Sequence, residues 1–440
     1  MSKMLPKINI NSISGLQYFQ LLRYGTLLII SIVFAKSGLT IEAIGTYEVF
    51  LFIASLTCSF WINGIIQSFL PLFQNNNSIR QTGGKSPELF NAFVLISLFS
   101  FLVIAFLVLY QFSFAGVLAN TNKIPYFSLL LIYIFISSPA FLVEYFYLLK
   151  NKAWWMLKYG IATFAAQLLL MAVPAFLGMS MQISIIGLVV ISLVRYAWVI
   201  ILLRKYAQFT LSVKFIKEHL HLAWPLIITS LLGSSAQYVD SFLVLNKFDA
   251  DTFAIFRYGA KEFPLVLLMA NALSTAMTAE FSVKDKLMEA LKTLRDKTKR
   301  LMHLLFPVTI VLIIFSTWLY PRIFSESFAS SAVIFNIYLL LIISRLLFPH
   351  SILIGLKMTK IIMYASMADL AVNIVLSIAF INFWGIEGVA FATFIAYAVQ
   401  KLIWVVYIKR VLGILPNQYI PMLVWVIYST ITLAAFFVVY

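Results

Sequence analysis

The chain of 440 residues is 62% hydrophobic and 11% charged, with a net charge of +16. Soluble domains carry about 25% charged residues, so this composition excludes an ordinary soluble enzyme, and the basic excess is read as membrane topology rather than as a nucleic-acid partner. The single cysteine, Cys58, excludes an internal disulfide framework; there is no CxxC, HExxH, phosphate-binding glycine loop or metal spacing among the four histidines, so no catalytic residue, metal or cofactor is assigned. Apolar stretches long enough to cross a bilayer predict helices over residues 16–36, 45–73, 88–112, 125–149, 154–177, 183–204, 223–246, 253–279, 302–320, 331–354, 361–383, 388–408 and 419–439. These runs are too long and too uniformly apolar for barrel strands, so the expected fold is all-α and polytopic. The first run is long and has no small-residue cleavage site behind it, which reads as a helix rather than a signal peptide. The thirteenth helix ends at Tyr440 without a polar tail, leaving open a truncated chain or the lack of a fourteenth helix.

The basic residues orient the helices. With the N-terminus in the cytoplasm, the cytoplasmic loops and helix ends hold 23 of the 32 basic residues, while the opposite side holds four: Lys36, Lys123, Lys247 and Arg322. That asymmetry places the N-terminus inside. A polar, basic segment over residues 204–221 separates two sets of six helices, giving expected lobes over 1–208 and 209–410, with an additional transmembrane helix in 411–440. Gly187 and Tyr196 have the same spacing as Gly388 and Tyr397, and the GTYE at 45–48 occupies a place like the AIFR at 254–257. An even number of helices per half makes the repeats parallel, related by an axis along the membrane normal, as in transporters with a substrate path between halves. Residues 282–300 are amphipathic and basic, with Leu287, Leu291 and Leu294 on one face; they read as a cytoplasmic surface helix on anionic lipid.

Charges inside the predicted helices are the candidate site. Each costs about 2.5–3.5 kcal/mol at the bilayer centre on insertion scales, so such residues face a cavity or a partner. Arg257 and Lys261 are four apart and would share a face of the eighth helix. Asp240 in the seventh helix and Glu48 in the second lie at similar depth, giving one polar layer. Arg195, Arg345, Asp369 and Arg23 form a deeper set, in which Arg345 and Asp369 match in depth and are expected to pair. Competing readings are snorkelling for Arg257 and Lys261 and a structural ion pair for Arg345 and Asp369. Lys401 reads as a snorkelling residue, and Glu144 and Glu280 as interfacial. An arginine-lined cavity favours an anionic substrate, because guanidinium matches phosphate oxygens and stays charged.

Three stretches carry a family pattern: IEAIGTY (41–47), LAWPLIITSLLGSSAQYVDSFLV (222–244) and ADLAVNIVLSIAFINFWGIEGVAFATFIAYAV (368–399). Together they resemble the polysaccharide-export flippases of the multidrug/oligosaccharidyl-lipid/polysaccharide exporter superfamily. The resemblance implies a MATE-like fold of two six-helix repeats, here with an extra C-terminal helix, in the bacterial inner membrane. It implies movement of undecaprenyl-diphosphate-linked oligosaccharide (O-antigen, capsule or exopolysaccharide units) from the cytoplasmic to the periplasmic leaflet by alternating access. The further partners it implies are membrane lipid, a polysaccharide polymerase and chain-length proteins. Substrate contact then falls to Arg257, Lys261, Arg195, Arg23 and Arg345, and ion coupling or gating to Asp240, Asp369 and Glu48. An ion-coupled drug antiporter of the same superfamily and a glycan polymerase or ligase are the alternatives. The first calls for a carboxylate-dominated cavity and the second for a large outer loop.

Overall fold

The computed structural model describes residues 12–75, 85–113, 124–261, 264–281 and 287–440. In chain order the helices are α1 (Ser12–Lys36), α2 (Ile41–Asn75), α3 (Pro87–Ser113), α4 (Phe127–Ala140), α5 (Leu142–Leu149), α6 (Ala153–Phe176), α7 (Met181–Tyr206), α8 (Val213–Lys247), α9 (Ala250–Gly259), α10 (Pro264–Phe281), α11 (Leu287–Ile323), α12 (Ser331–Leu339), α13 (Ile342–Arg345), α14 (Pro349–Gly355), α15 (Thr359–Leu412), α16 (Pro416–Tyr419) and α17 (Met422–Val439). Among the described residues nine helices are long and apolar enough to cross a membrane, or ten when the bent pair Ser331–Arg345 and Pro349–Gly355 counts as one span. The protein is therefore a multi-pass helical membrane protein, and each predicted segment is helical over most of its described residues, three of them with a break.

Where helices break, the sequence supplies the cause. Pro139 removes an amide donor near the end of α4, and the chain restarts as α5 after Phe141. Pro349 follows the short α13, and the span bends there by 49°. The predicted helix over 253–279 is divided: α9 ends at Gly259, Ala260 is a turn, and α10 starts at Pro264, a residue that disfavours helix in its predecessor. α15 is two helices joined at Gly385, whose φ of 56° marks the turn expected from the glycine in that stretch. Three residues on, a Cβ at Gly388 would lie 2.4 Å from the Phe380 carbonyl oxygen, and one at Gly187 would lie 2.2 Å from that of Leu170. The matched glycines in the two halves are thus both sites of close helix approach, where any side chain would clash.

The chain forms two compact units, Met1–Ser234 and Ser235–Tyr440. In unit 1, α1 packs most extensively on α6, and α7 packs on both α4 and α6. In unit 2 a continuous core joins α10, α11, α14, α15 and α17. The basic amphipathic segment is not a separate surface helix. Residues 282–286 lie outside the described residues, and from Leu287 the segment forms the first turns of α11, with Leu291 and Leu294 buried in the unit 2 core. Its apolar face is taken by protein rather than by lipid.

Candidate functional site

In unit 1 the charges converge around one aromatic ring. The Arg23 guanidinium in α1 lies 5.9 Å from the ring centre of Phe164, and that of Arg195 in α7 lies 5.0 Å from the same ring. Arg23 also sits against Phe19 at 5.1 Å and Phe141 at 5.4 Å. Its Nη2 donates to the Glu144 carboxylate, which is buried in α5. Arg195 donates from Nη2 to the Gln167 amide oxygen at 2.7 Å. The local sequence explains the placement. Phe164 and Gln167 are one turn apart on α6, the helix that packs on α1 and α7. The break at Phe141 brings both Phe141 and Glu144 to Arg23. Among the described residues the cluster thus holds two guanidinium groups and one carboxylate, which pairs with Arg23, and the aromatic walls stabilise each cation by about 0.5–2 kcal/mol. The cluster keeps an excess positive charge and suits an incoming anion.

Unit 2 holds two polar clusters. Asp240, buried in α8, accepts from the Tyr338 hydroxyl at 3.2 Å, from Asn373 Nδ2 at 3.1 Å and from the Thr393 hydroxyl. Asn373 and Thr393 lie on the two arms of α15, on either side of the turn at Gly385, and Asn373 also donates to Thr393 at 3.0 Å. The three partners are neutral, so the carboxylate is held by hydrogen bonds from three segments. The second cluster surrounds Lys401. Its ammonium donates to the Leu347 carbonyl at 3.2 Å and lies 5.0 Å from the rings of both Tyr397 and Trp404. Leu347 belongs to the broken span, where the Ser351 amide bonds to Phe348 instead of continuing the regular ladder. A buried cation therefore satisfies a carbonyl that the break releases. Trp404 also neighbours His350, their ring centres 5.7 Å apart; His350 meets Ser274 at 2.8 Å, and Ser274 meets Ser351 at 2.9 Å.

Several sequence expectations are corrected here. Arg345 and Asp369 do not form an ion pair; Arg345 lies over Tyr397 at 5.6 Å, and the cation acting on Asp369 is Lys401. The bend after α13 turns Arg345 toward the α15 ring despite its matching depth. Lys401 does not snorkel, being 3% exposed, and Glu144 is not interfacial, being equally buried. Arg257 and Lys261 do not share a helix face, because α9 ends between them; Lys261 folds back over Tyr258 with its ammonium 3.8 Å from the ring centre. Arg195 is partnered by the neutral Gln167 rather than by a carboxylate. Glu48 is buried in α2 of unit 1. Gln167, Asn373 and Thr393 carry no charge and were not singled out from sequence, and Glu144 and Lys401 were read as interfacial and snorkelling rather than as members of a site. For Glu144 the available signal was depth: it lies five residues from the cytoplasmic end of its predicted helix over 125–149, as Arg23 lies seven from that of the predicted helix over 16–36.

The family model described as a polysaccharide biosynthesis protein matches residues 39–333. No curated protein sequence matches. Among solved structures, the chain is similar to the lipid II flippase MurJ in an inward closed conformation, with TM-score 0.70 and 21% identity over 96% of this chain and 92% of that one. It is similar to an inward-facing multidrug resistance MATE family transporter of the MOP superfamily, with TM-score 0.64 and 14% identity over 87% and 93%. A third similar structure is a MOP superfamily transporter from Pyrococcus furiosus, described by the reverse polarity of its binding pocket, with TM-score 0.56 and 13% identity over 90% and 94%.

Proposed function

Because the chain belongs to the polysaccharide biosynthesis protein family and has the fold shared by MurJ and MATE transporters, we propose that it is a flippase. Its substrate is an oligosaccharide repeat unit linked through diphosphate to undecaprenol, an intermediate of O-antigen, capsule or exopolysaccharide assembly. It moves that substrate from the cytoplasmic to the periplasmic leaflet of the inner membrane and makes or breaks no covalent bond.

The observation that carries the reading is the unit 1 cluster, in which Arg23 and Arg195 flank Phe164 while, among the described residues, Glu144 is the one carboxylate that pairs with them. Guanidinium groups are the side chains best matched to phosphate oxygens, and they hold their charge at any physiological pH. A drug-cation antiporter calls for the opposite balance. The aromatic walls at Phe19, Phe141 and Phe164 suit the faces of sugar rings. In this account a substrate phosphate competes with the Glu144 carboxylate for Arg23, and the released carboxylate marks the loaded state. Arg257, Lys261 and Arg345 are assigned to guiding phosphates within unit 2. Asp240, Asp369 and Glu48 are assigned to coupling or gating. The strongest of these is Asp240, because its donors come from α12 and from both arms of α15, so a change in its charge alters three segments at once.

Transport would proceed by alternating access, through rearrangement of six-helix lobes over 1–208 and 209–410. Both a polymerase and chain-length proteins would act on the product at the outer leaflet. The test is glycan export in cells lacking the gene, complemented by variants whose abundance in the membrane is measured in parallel. Arg23→Ala and Arg195→Ala are expected to abolish export at normal abundance; full export by both would remove the anion-binding reading.

A further inference from the structure

A groove of about 360 Å³ opens between α10 and α11 within unit 2. Its walls are apolar: Met269 and Leu273 from α10, Leu301 and Leu304 from α11. Lys297 and Arg300 stand at one end. They precede Leu301 and Leu304 by four residues each, one helical turn, so each cation sits directly above an apolar wall residue.

The bilayer register of α11 follows from its sequence. The twenty residues from Leu301 to Tyr320 contain no Asp, Glu, Lys or Arg. At 1.5 Å per residue they span about 30 Å, the thickness of a hydrocarbon core. Beyond them, Arg322 stacks on the exposed Trp318 at 4.3 Å, an interfacial anchor for the other end. Lys297 and Arg300 therefore fall at headgroup level, and Leu301 and Leu304 fall in the outer part of the adjoining hydrocarbon.

We infer that this groove is a binding site for one anionic glycerophospholipid, with its phosphate between Lys297 and Arg300 and an acyl chain along the apolar walls. Charge complementarity selects the headgroup. Lys297 is steadied by Glu280 at 3.0 Å, and an ammonium with three donors keeps others for a phosphate oxygen. Arg300 has no side-chain partner among the described residues, and its planar fork matches phosphate. Five basic residues against two acidic ones over 287–300 add to the attraction. The groove's depth selects the chain. From Lys297 to Leu304 is about 10 Å along the helix, less than the roughly 15 Å that one leaflet contributes to the core. That suits the acyl chain of a leaflet lipid rather than a long polyprenyl tail. The lipid would brace α10 against α11, and the site does not depend on what the protein transports.

The test is native mass spectrometry of the purified full-length protein with added phosphatidylglycerol, phosphatidylethanolamine or undecaprenyl phosphate. Phosphatidylglycerol should be retained at least ten-fold more strongly than phosphatidylethanolamine. Lys297→Ala/Arg300→Ala should remove that preference. Leu304→Trp, which fills the groove and keeps both cations, should weaken retention to a similar degree. Lys292→Ala/Lys299→Ala, altering exposed cations outside the groove lining, should leave it unchanged. Unfolding temperatures measured in detergent without lipid show whether each variant is folded. Equal retention by wild type and the groove variants would overturn the site. So would retention of undecaprenyl phosphate that exceeds that of phosphatidylglycerol and is lost in Lys297→Ala/Arg300→Ala, which would give the groove to a polyprenyl lipid. A failure here leaves the export tests of Arg23 and Arg195 untouched.

Discussion

The Arg23–Glu144 pair separates a binding site from a structural ion pair. Removing one partner of a buried pair costs about 3–5 kcal/mol, because the other charge is left uncompensated. The Glu144 side chain is 4% exposed but that of Arg23 is 34% exposed, so the hydrated substrate cavity proposed here would screen the orphaned guanidinium. Glu144→Ala is therefore expected near the lower end, about 3 kcal/mol. Glu144→Gln keeps the volume and one acceptor and should cost about 1.5 kcal/mol, the lower value for a hydrogen bond to a charged group. Arg23→Met/Glu144→Leu removes both charges together, and well-packed apolar replacements of such pairs are often neutral in stability. Methionine also suits the surrounding phenylalanines through sulfur–aromatic contact. The assay is paired: thermal unfolding in detergent, and glycan export at matched membrane abundance. The double variant should unfold near the wild-type temperature and export nothing. Wild-type export by that variant would refute the assignment of Arg23 as an anion ligand and leave the pair a structural element.

The helix order and the basic asymmetry predict that Met288→Cys and Ser327→Cys, placed beyond opposite ends of the apolar stretch of α11 in a Cys58→Ala background, react with impermeant thiol reagents from opposite faces; reaction from one face would undo the topology. Asp240→Asn keeps the shape of the hub but removes its charge, so export should fall at least ten-fold while abundance holds, and normal export would strip Asp240 of a coupling role. Lys401→Met should be tolerated far better than Lys401→Ala, because it retains the packing between Tyr397 and Trp404 while giving up the bond to Leu347; the reverse order in unfolding temperature would contradict the packing described. Arg195→Lys should export weakly, since lysine keeps the charge but loses the fork that spans Gln167 and a phosphate.

Hydropathy located the helices because each must satisfy its backbone internally over a fixed thickness. The turn at Gly385 was visible as a glycine between two apolar runs, and Asp240 as a carboxylate too deep to be idle. The side-chain pairings were less legible. Sequence position reports depth along a helix but not rotation about its axis, and rotation decides who meets whom. Arg345 and Asp369 match in depth, yet the bend after α13 sends Arg345 to Tyr397. Glu144 and Lys401 looked interfacial when distance was counted along straight helices. The break at Phe141 and the carbonyl freed at Leu347 draw them inward instead. The face supposedly shared by Arg257 and Lys261 presumed one helix through Pro264, which the turn at Ala260 denies.

In the proposed reading, the arginines of unit 1 hold a lipid-linked sugar anion as it crosses the bilayer. The most direct measurement is reconstitution of the purified protein into liposomes containing an undecaprenyl-diphosphate oligosaccharide, with leaflet exposure followed by a membrane-impermeant glycosidase. With the required ion gradient or membrane potential imposed, wild-type protein should make substrate that is initially protected in the lumenal leaflet susceptible to cleavage, and Arg23→Met/Glu144→Leu should leave it protected. Equal rates for the two proteins, or no movement by wild type under any imposed gradient, would contradict the account.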